Sequence, residues 1–392
     1  MMKSLSIRKV NTFDMFSAKV YFMFIILYTF LSGFVFIEPS PAEIVFALFA
    51  PILLIGFSTT WRTVSMFFLL FIPMLVSTYF GLIQGFFNPR FFIIDIYLFL
   101  FFFVLASLGY RVKNIINKNY LFDSLMKAWA FAGAINIFAG LFAYGTGKLS
   151  FFGIEIIRFG IRLKGFFKDP NVLGPFLVPV AIYYLFLFFS KQRKSIWDLI
   201  LFTFFSGGVF LTFSRAAWLN LFISIVALML MLIPYRKARR KIAIFFIIIG
   251  LFFAIFLEIS KNINVLDINL YDFFTGRLGL QSYDAERFSA QKEFIDIMNY
   301  SVYSLFFGIG PGNYEEFAKM ATHSLFARYI GERGIFGLIT FVVFISLVVY
   351  AVRKSYYRKI FIPILLGQFV NSLFIDSLHW RHLWLLIAMI FL

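Results

Sequence analysis

The stretch "FLTFSRAAWLNLF" (210–222) sets one arginine, Arg215, inside a long run of otherwise apolar residues. A guanidinium at the edge of a hydrocarbon layer costs a few kcal/mol unless it is paired or hydrated, so such a residue is a functional candidate by default. Its planar fork suits bidentate binding of phosphate oxygens. A second candidate is His323 in "ATHSLFARYIGERG" (321–334), beside Arg328, Glu332 and Arg333. Histidine is the side chain best suited to exchanging a proton near neutral pH. A third stretch, "IRLKGFFKDPNVLGPF" (161–176), follows Arg158 and carries Arg162, Lys164 and Lys168 ahead of Asp169–Pro170. Asp then Pro is a helix-start signal, and a helix N-terminus with arginines nearby suits an anion. Anchoring to lipid headgroups is the plainer reading of these basic residues, and snorkelling is that of Arg215.

These residues need a scaffold, and the composition says which kind. The 392-residue chain is 61% hydrophobic and only 14% charged, with 61 Phe, and its mean hydropathy is +0.89. Soluble domains run at about 45–50% apolar and about 25% charged. The expectation is therefore a single integral membrane domain over 1–392, an all-α polytopic bundle. Apolar runs at 18–37, 41–59, 63–83, 91–110, 121–145, 171–190, 197–213, 216–234, 242–260, 334–352, 360–376 and 380–392 predict twelve spans, the last a partial one. Each full span needs about 20 residues.

The formal net charge of +17 does not point to nucleic acid. Lys and Arg set orientation in membrane proteins, and "RVKNIINK", "KQRK", "RKARRK" and "RKSYYRK" fall on one side of the membrane by this span count. With Lys3, Arg8 and Lys9 they predict both ends inside and an uncleaved signal anchor. Two long segments then face outward: a basic loop at 146–170 and a large loop at 261–333. In the larger loop, 282–300 places Phe288, Phe294, Ile295 and Met298 near one face of an amphipathic helix. "GIGPGNYEEF" follows as a tight turn, with Asn313 and Glu316 at capping-box spacing. Its Gly-x-Gly is a weak phosphate signal, since no strand precedes it.

The chain has no cysteine, so disulfides and thiolate chemistry are excluded. His379 and His382 flank Trp380 and Arg381 before the last expected span, but no acidic metal motif accompanies them, and there is no DxD pair. Asp95, Glu258 and Asp376 fall near outer span ends. A transporter or lipid-linked-glycan flippase would place charges at the midplane and repeat internally. Neither pattern is present. A non-catalytic partner of an envelope assembly is a third reading.

Taken in order, the motifs resemble the O-antigen ligase and O-antigen polymerase superfamily. Arg162, Gly165, Pro170 and Asn171 match its Arg, Gly, Pro-Asn pattern before a span. Ser214, Arg215 and Leu219 match its Ser-Arg turn with R-x3-L. Arg287 precedes a Gly-x-Gly turn at Gly308–Gly310, and His323 with Gly334 matches H-x10-G, followed by "GERGIFGL". The ordered set covers 158–340 and leaves the N-terminal third unmatched. The resemblance implies a GT-C-like glycosyltransferase that works without metal or other cofactor. It would move a glycan from an undecaprenyl-diphosphate carrier to lipid A core or to another carrier-linked unit, on the outer face of a bacterial inner membrane. It also implies the roles: Arg215, Arg162 and Arg287 on the diphosphate, with Arg158, Lys164 and Arg328 nearby, and His323 as base. Gly310, Glu332 and Gly334 would be motif positions that shape the site.

Overall fold

The computed structural model describes residues 12–54, 59–112, 115–190, 195–279, 282–318 and 320–391. The N-terminal Lys3, Arg8 and Lys9, "KQRK" and Lys319 lie outside the described residues, as does part of "RVKNIINK". The chain is 76% helical. Its first nine helices are α1 (Thr12–Leu31), α2 (Pro41–Leu54), α3 (Trp61–Ile83), α4 (Pro89–Val112), α5 (Lys118–Thr146), α6 (Pro170–Ser190), α7 (Ile196–Leu211), α8 (Arg215–Leu232) and α9 (Arg236–Ser260). The large loop holds α10 (Leu270–Leu278), α11 (Ser282–Lys292), α12 (Phe294–Tyr300) and α13 (Val302–Phe307). Then come α14 (Leu325–Lys354), α15 (Arg358–Phe374) and α16 (Arg381–Met389). The only strands among the described residues are three two-residue antiparallel hairpins, two of them in the 146–170 loop.

Each expected span overlaps a helix, but the helices differ in reach. Among the described residues, seven are long and apolar enough to cross a membrane: α3, α4, α5, α6, α8, α9 and α14. The apolar parts of α1 and α7 are shorter. Helix α16 falls within the expected partial final span. Its nine residues rise about 14 Å, against a hydrocarbon core of about 30 Å, and all of them are buried. The chain is thus an all-helical, multi-pass membrane protein.

The helices start where the sequence signals them. Thr60 accepts from Thr63 N–H at the start of α3, and Ser214 accepts from Ala217 N–H at the start of α8. Asp169 Oδ1 accepts from Asn171 N–H at 2.7 Å, with Pro170 as the first residue of α6. Small residues set the closest packing. Helix α8 packs on α15 so tightly that a Cβ on Gly367 would meet Asn220 O at 2.5 Å. That contact holds Arg215, at the top of α8, beside the end of α15.

The large loop departs from expectation in two places. The single amphipathic helix over 282–300 is two helices broken at Glu293. The break buries Ile297 against Ala290, Ile309 and Tyr314, while Phe288 and Ile295 stay exposed. The capping box at 313–316 is not formed. Asn313 Nδ2 instead donates to the carbonyls of Ile309, Gly310 and Pro311, which folds the turn on itself.

Candidate active site

Arg215 is the first residue of α8, so its side chain leaves the helix at the surface and reaches into the large loop. Its Nη1 donates to Gly279 O at 3.1 Å, and its Nη2 pairs with Asp284 Oδ1. Around it lies a cavity of about 230 Å³, lined by Arg277, Asp284, Arg287 and His323 as well as Arg215. Three arginines, one carboxylate and one histidine therefore share a single cavity. Its other walls are Asn171, Ser214, Leu219, Phe288, Phe374 and Ile375, among others. The lining combines cationic and apolar side chains, which suits an amphiphile with a charged head.

His323 lies just before α14, whose N-cap is Ser324. Its backbone oxygen accepts from Gln291 Nε2 at 3.0 Å, which ties it to α11. Asp284, Arg287 and Gln291 sit at i, i+3 and i+7 on that helix and all face the cavity. Burial, and next the Arg287 guanidinium, lower the His323 pKa from its ordinary value of 6.5. The ring is thus neutral at physiological pH, the form that can take a proton.

Four expected anion ligands do not line this cavity. Arg162 is buried behind it: Nε donates to Thr212 O and Nη2 to Asn171 Oδ1, each at 2.9 Å. It holds Asn171, which does line the cavity, and supports the carbonyl two residues before Ser214. Arg158 donates to Lys168 O and lies 3.5 Å from Glu155, while Lys164 is 3.4 Å from the same carboxylate. The local acid Glu155 draws both away. Arg328 is buried among Glu315, Glu332 and Asp376.

The glycine motifs shape the backbone around these groups. Gly165 has φ +59, and a Cβ there would strike Asn136 Oδ1 at 2.3 Å, the oxygen that accepts from Phe166 N–H. Gly334 interrupts α14 with φ 62 and ψ −165, a conformation essentially reserved for glycine. The 308–312 turn seals the break. Ile309 N–H donates to Gly331 O, Gly310 N–H to Glu332 O at 3.0 Å, and Gly312 N–H to Glu332 Oε1 at 2.9 Å. These three donors are engaged by protein oxygens, so the turn braces a helix and is not arranged as a phosphate cradle.

Neither remaining histidine lines the cavity. His379 is 3.2 Å from Asp95 Oδ1, and His382 packs among Trp129, Phe176 and Trp380.

Sequence reasoning missed Arg277, Asp284 and Gln291. The polar face of α11 is readable in the sequence as the i, i+3, i+7 spacing of 284, 287 and 291. Arg277 carried no signal beyond its place in a basic loop.

No curated protein matches the chain. Residues 199–342 match the family model described as O-antigen ligase. The matched segment includes Ser214, Arg215, Leu219, Arg277, Asp284, Arg287, His323 and Gly334, while Arg162 and Asn171 precede it. Over residues 199–342, a little over a third of its length, the chain is therefore similar to the O-antigen ligase family.

Proposed function

We propose that this protein transfers a glycan from an undecaprenyl-diphosphate carrier to a hydroxyl of an acceptor glycan. The single observation that carries the reading is the meeting of Arg215, Arg277, Arg287 and His323 around one cavity with an apolar wall. The acceptor oxygen attacks the anomeric carbon, and the bond from that carbon to the diphosphate oxygen breaks. The carrier diphosphate leaves with the bonding electrons, and the hydroxyl proton passes to His323. Charge grows on the diphosphate as the bond breaks. Arginines fixed in advance around it stabilise that charge most where it is largest. Arg215 and Arg287 take the diphosphate, Arg162 serves through Asn171, and His323 is the base. In this scheme the arginines do the neutralising that a divalent ion would otherwise do.

In this reading the reaction takes place on the outer face of a bacterial inner membrane; the distribution of Lys and Arg, which predicts the large loop and the basic 146–170 loop on that side, supports it. The acceptor is lipid A core in a ligase, or a second carrier-linked unit in a polymerase. Purified protein should be given undecaprenyl-diphosphate-linked repeat units alone and then with lipid A core. Chain elongation with donor alone identifies a polymerase, and transfer only with the core identifies a ligase. No transfer in either mixture would overturn the proposal.

A further inference from the structure

Next to the cavity lies a set of ion pairs that the transfer chemistry does not use. Arg328 Nε is 2.7 Å from Asp376 Oδ2, a charge contact without hydrogen-bond alignment. Asp376 is 3.7 Å from His379 Nδ1, and His379 Nε2 is 3.2 Å from Asp95 Oδ1. The other Asp95 oxygen pairs with Arg333. Arg333 Nη1 is 3.5 Å from Glu332 Oε2, and Glu332 Oε1 returns to Arg328 Nη1 at 2.7 Å. The six side chains close a ring in which cation and anion alternate, with His379 as its third cation when protonated. Glu315 joins from outside through Arg328.

The ring unites parts of the chain that are far apart in sequence. Asp95 comes from α4, and Arg328, Glu332 and Arg333 come from the first turns of α14. Asp376 and His379 come from the turn between α15 and α16, and Glu315 from the segment after the 308–312 turn. Asp95, Glu332 and Arg333 are fully buried. Burying ion pairs is costly, and well-packed apolar residues would often be as stable, so such a ring is poorly explained by stability alone. Its placement supplies the reason. Ile375, a wall of the cavity, is the neighbour of Asp376, and His323 stands five residues before Arg328, across the Ser324 cap. The Arg328–Asp376 contact thus joins the two.

We propose that this ring is a positioning device, which fixes the cavity wall bearing His323 against the wall bearing Phe374 and Ile375. The inference rests on the reading of that cavity as the transfer site. None of the ring side chains lines the cavity, so they act through the residues beside them. A misplacement of about 1 Å at a reacting group can cost up to a hundredfold in rate.

The test uses purified full-length Asp376→Asn, His379→Gln and the double variant, with Glu258→Gln as an exposed control outside the ring. Transfer kinetics and melting are measured on each. The expected result is a kcat lower by about tenfold or more in each single variant, with donor KM within about twofold. The double should be little worse than the weaker single, because both changes open the same link. Normal kcat per folded molecule with only a lower melting temperature would overturn the proposal, as would a loss confined to KM. A second measurement does not depend on activity. The chain has no cysteine, so spin labels can be placed at Ala321 and Leu373 alone. Asp376→Asn should broaden a narrow distance distribution between them, and an unchanged distribution would also overturn the proposal. Should parent and control both fail to transfer glycan, the transferase reading fails while the distance measurement still judges the ring.

Discussion

Arg215 and Asp284 show how a residue type becomes a site. Arg215 stands at the first position of its helix, and the large loop pairs it with Asp284. In the proposed mechanism a diphosphate shares or replaces that carboxylate. Because the guanidinium offers two parallel donors, Arg215→Lys should transfer poorly although it keeps the charge. Arg215→Ala should lose about a hundredfold or more in kcat, the scale of removing one preorganised donor. Both are read by transfer assays on equal amounts of protein, and near-normal activity of Arg215→Ala would remove it from the site. His323 carries a pH prediction. Its pKa is lowered, first by burial and then by Arg287, and in the proposed mechanism the neutral ring is the active form. Transfer should hold from pH 8 down through 6.5 and fall only below that value. An acid limb centred above 6.5 would contradict the assignment. At this scale the sequence told residue types and motif spacing, and the fold brings Arg215, Arg287 and His323 to one cavity. It could not tell that Glu155 draws off Arg158 and Lys164, or that Arg162 faces Thr212 and Asn171. Pairings between side chains depend on the fold.

The elements that present these residues were more legible, because their start signals are local. Asp169–Pro170 and Ser214 mark the first turns of α6 and α8 through their own backbone donors. Breaks inside helices were less visible, since tertiary contacts decide them. Helix α14 begins at Leu325, well before the apolar run, and passes through the Gly334 break that the 308–312 turn seals. Gly334→Ala should be destabilising by about 1–3 kcal/mol from backbone conformation alone. An added Cβ would also lie 2.5 Å from the Phe306 carbonyl carbon. Thermal melting of the purified variant checks this, and an unchanged midpoint would show that the break is not required.

At the scale of the molecule, composition identified the membrane bundle, while the span count from apolar runs was less secure. Among the described residues, seven helices have both the length and the apolarity to cross, and α16 is a short buried helix, because hydropathy does not separate lipid-facing from core-facing residues. The charged ring was legible only in pieces: Asp95 and Asp376 near outer span ends, His379 before the last expected span, and Arg328, Glu332 and Arg333 in one stretch. It adds a prediction about the whole fold. Burial opposes charge on His379, in the turn outside the helices. The hydrogen bonds and charges of Asp376 and Asp95 outweigh that and push its pKa up to about 9. The groups that face it are Asp95 from α4 and Asp376 from its own turn, with Arg328, Glu332 and Arg333 from α14 beyond them. A folded pKa above the unfolded value of about 6.5 gives stability that is complete below pH 6.5 and is lost as pH rises through about 9. The melting temperature should fall across that window, and His379→Gln should flatten the fall.

The central claim, that one cavity both grips the carrier diphosphate and removes the acceptor proton, is tested most directly by separating binding from transfer in His323→Ala. Binding of the lipid-linked donor and transfer to acceptor are measured on the same purified protein. The account predicts donor affinity within a few-fold of the parent and a transfer rate lower by about 10²–10⁴-fold, the usual contribution of a general base. Full specific activity, or intact chemistry with lost donor binding, would contradict it.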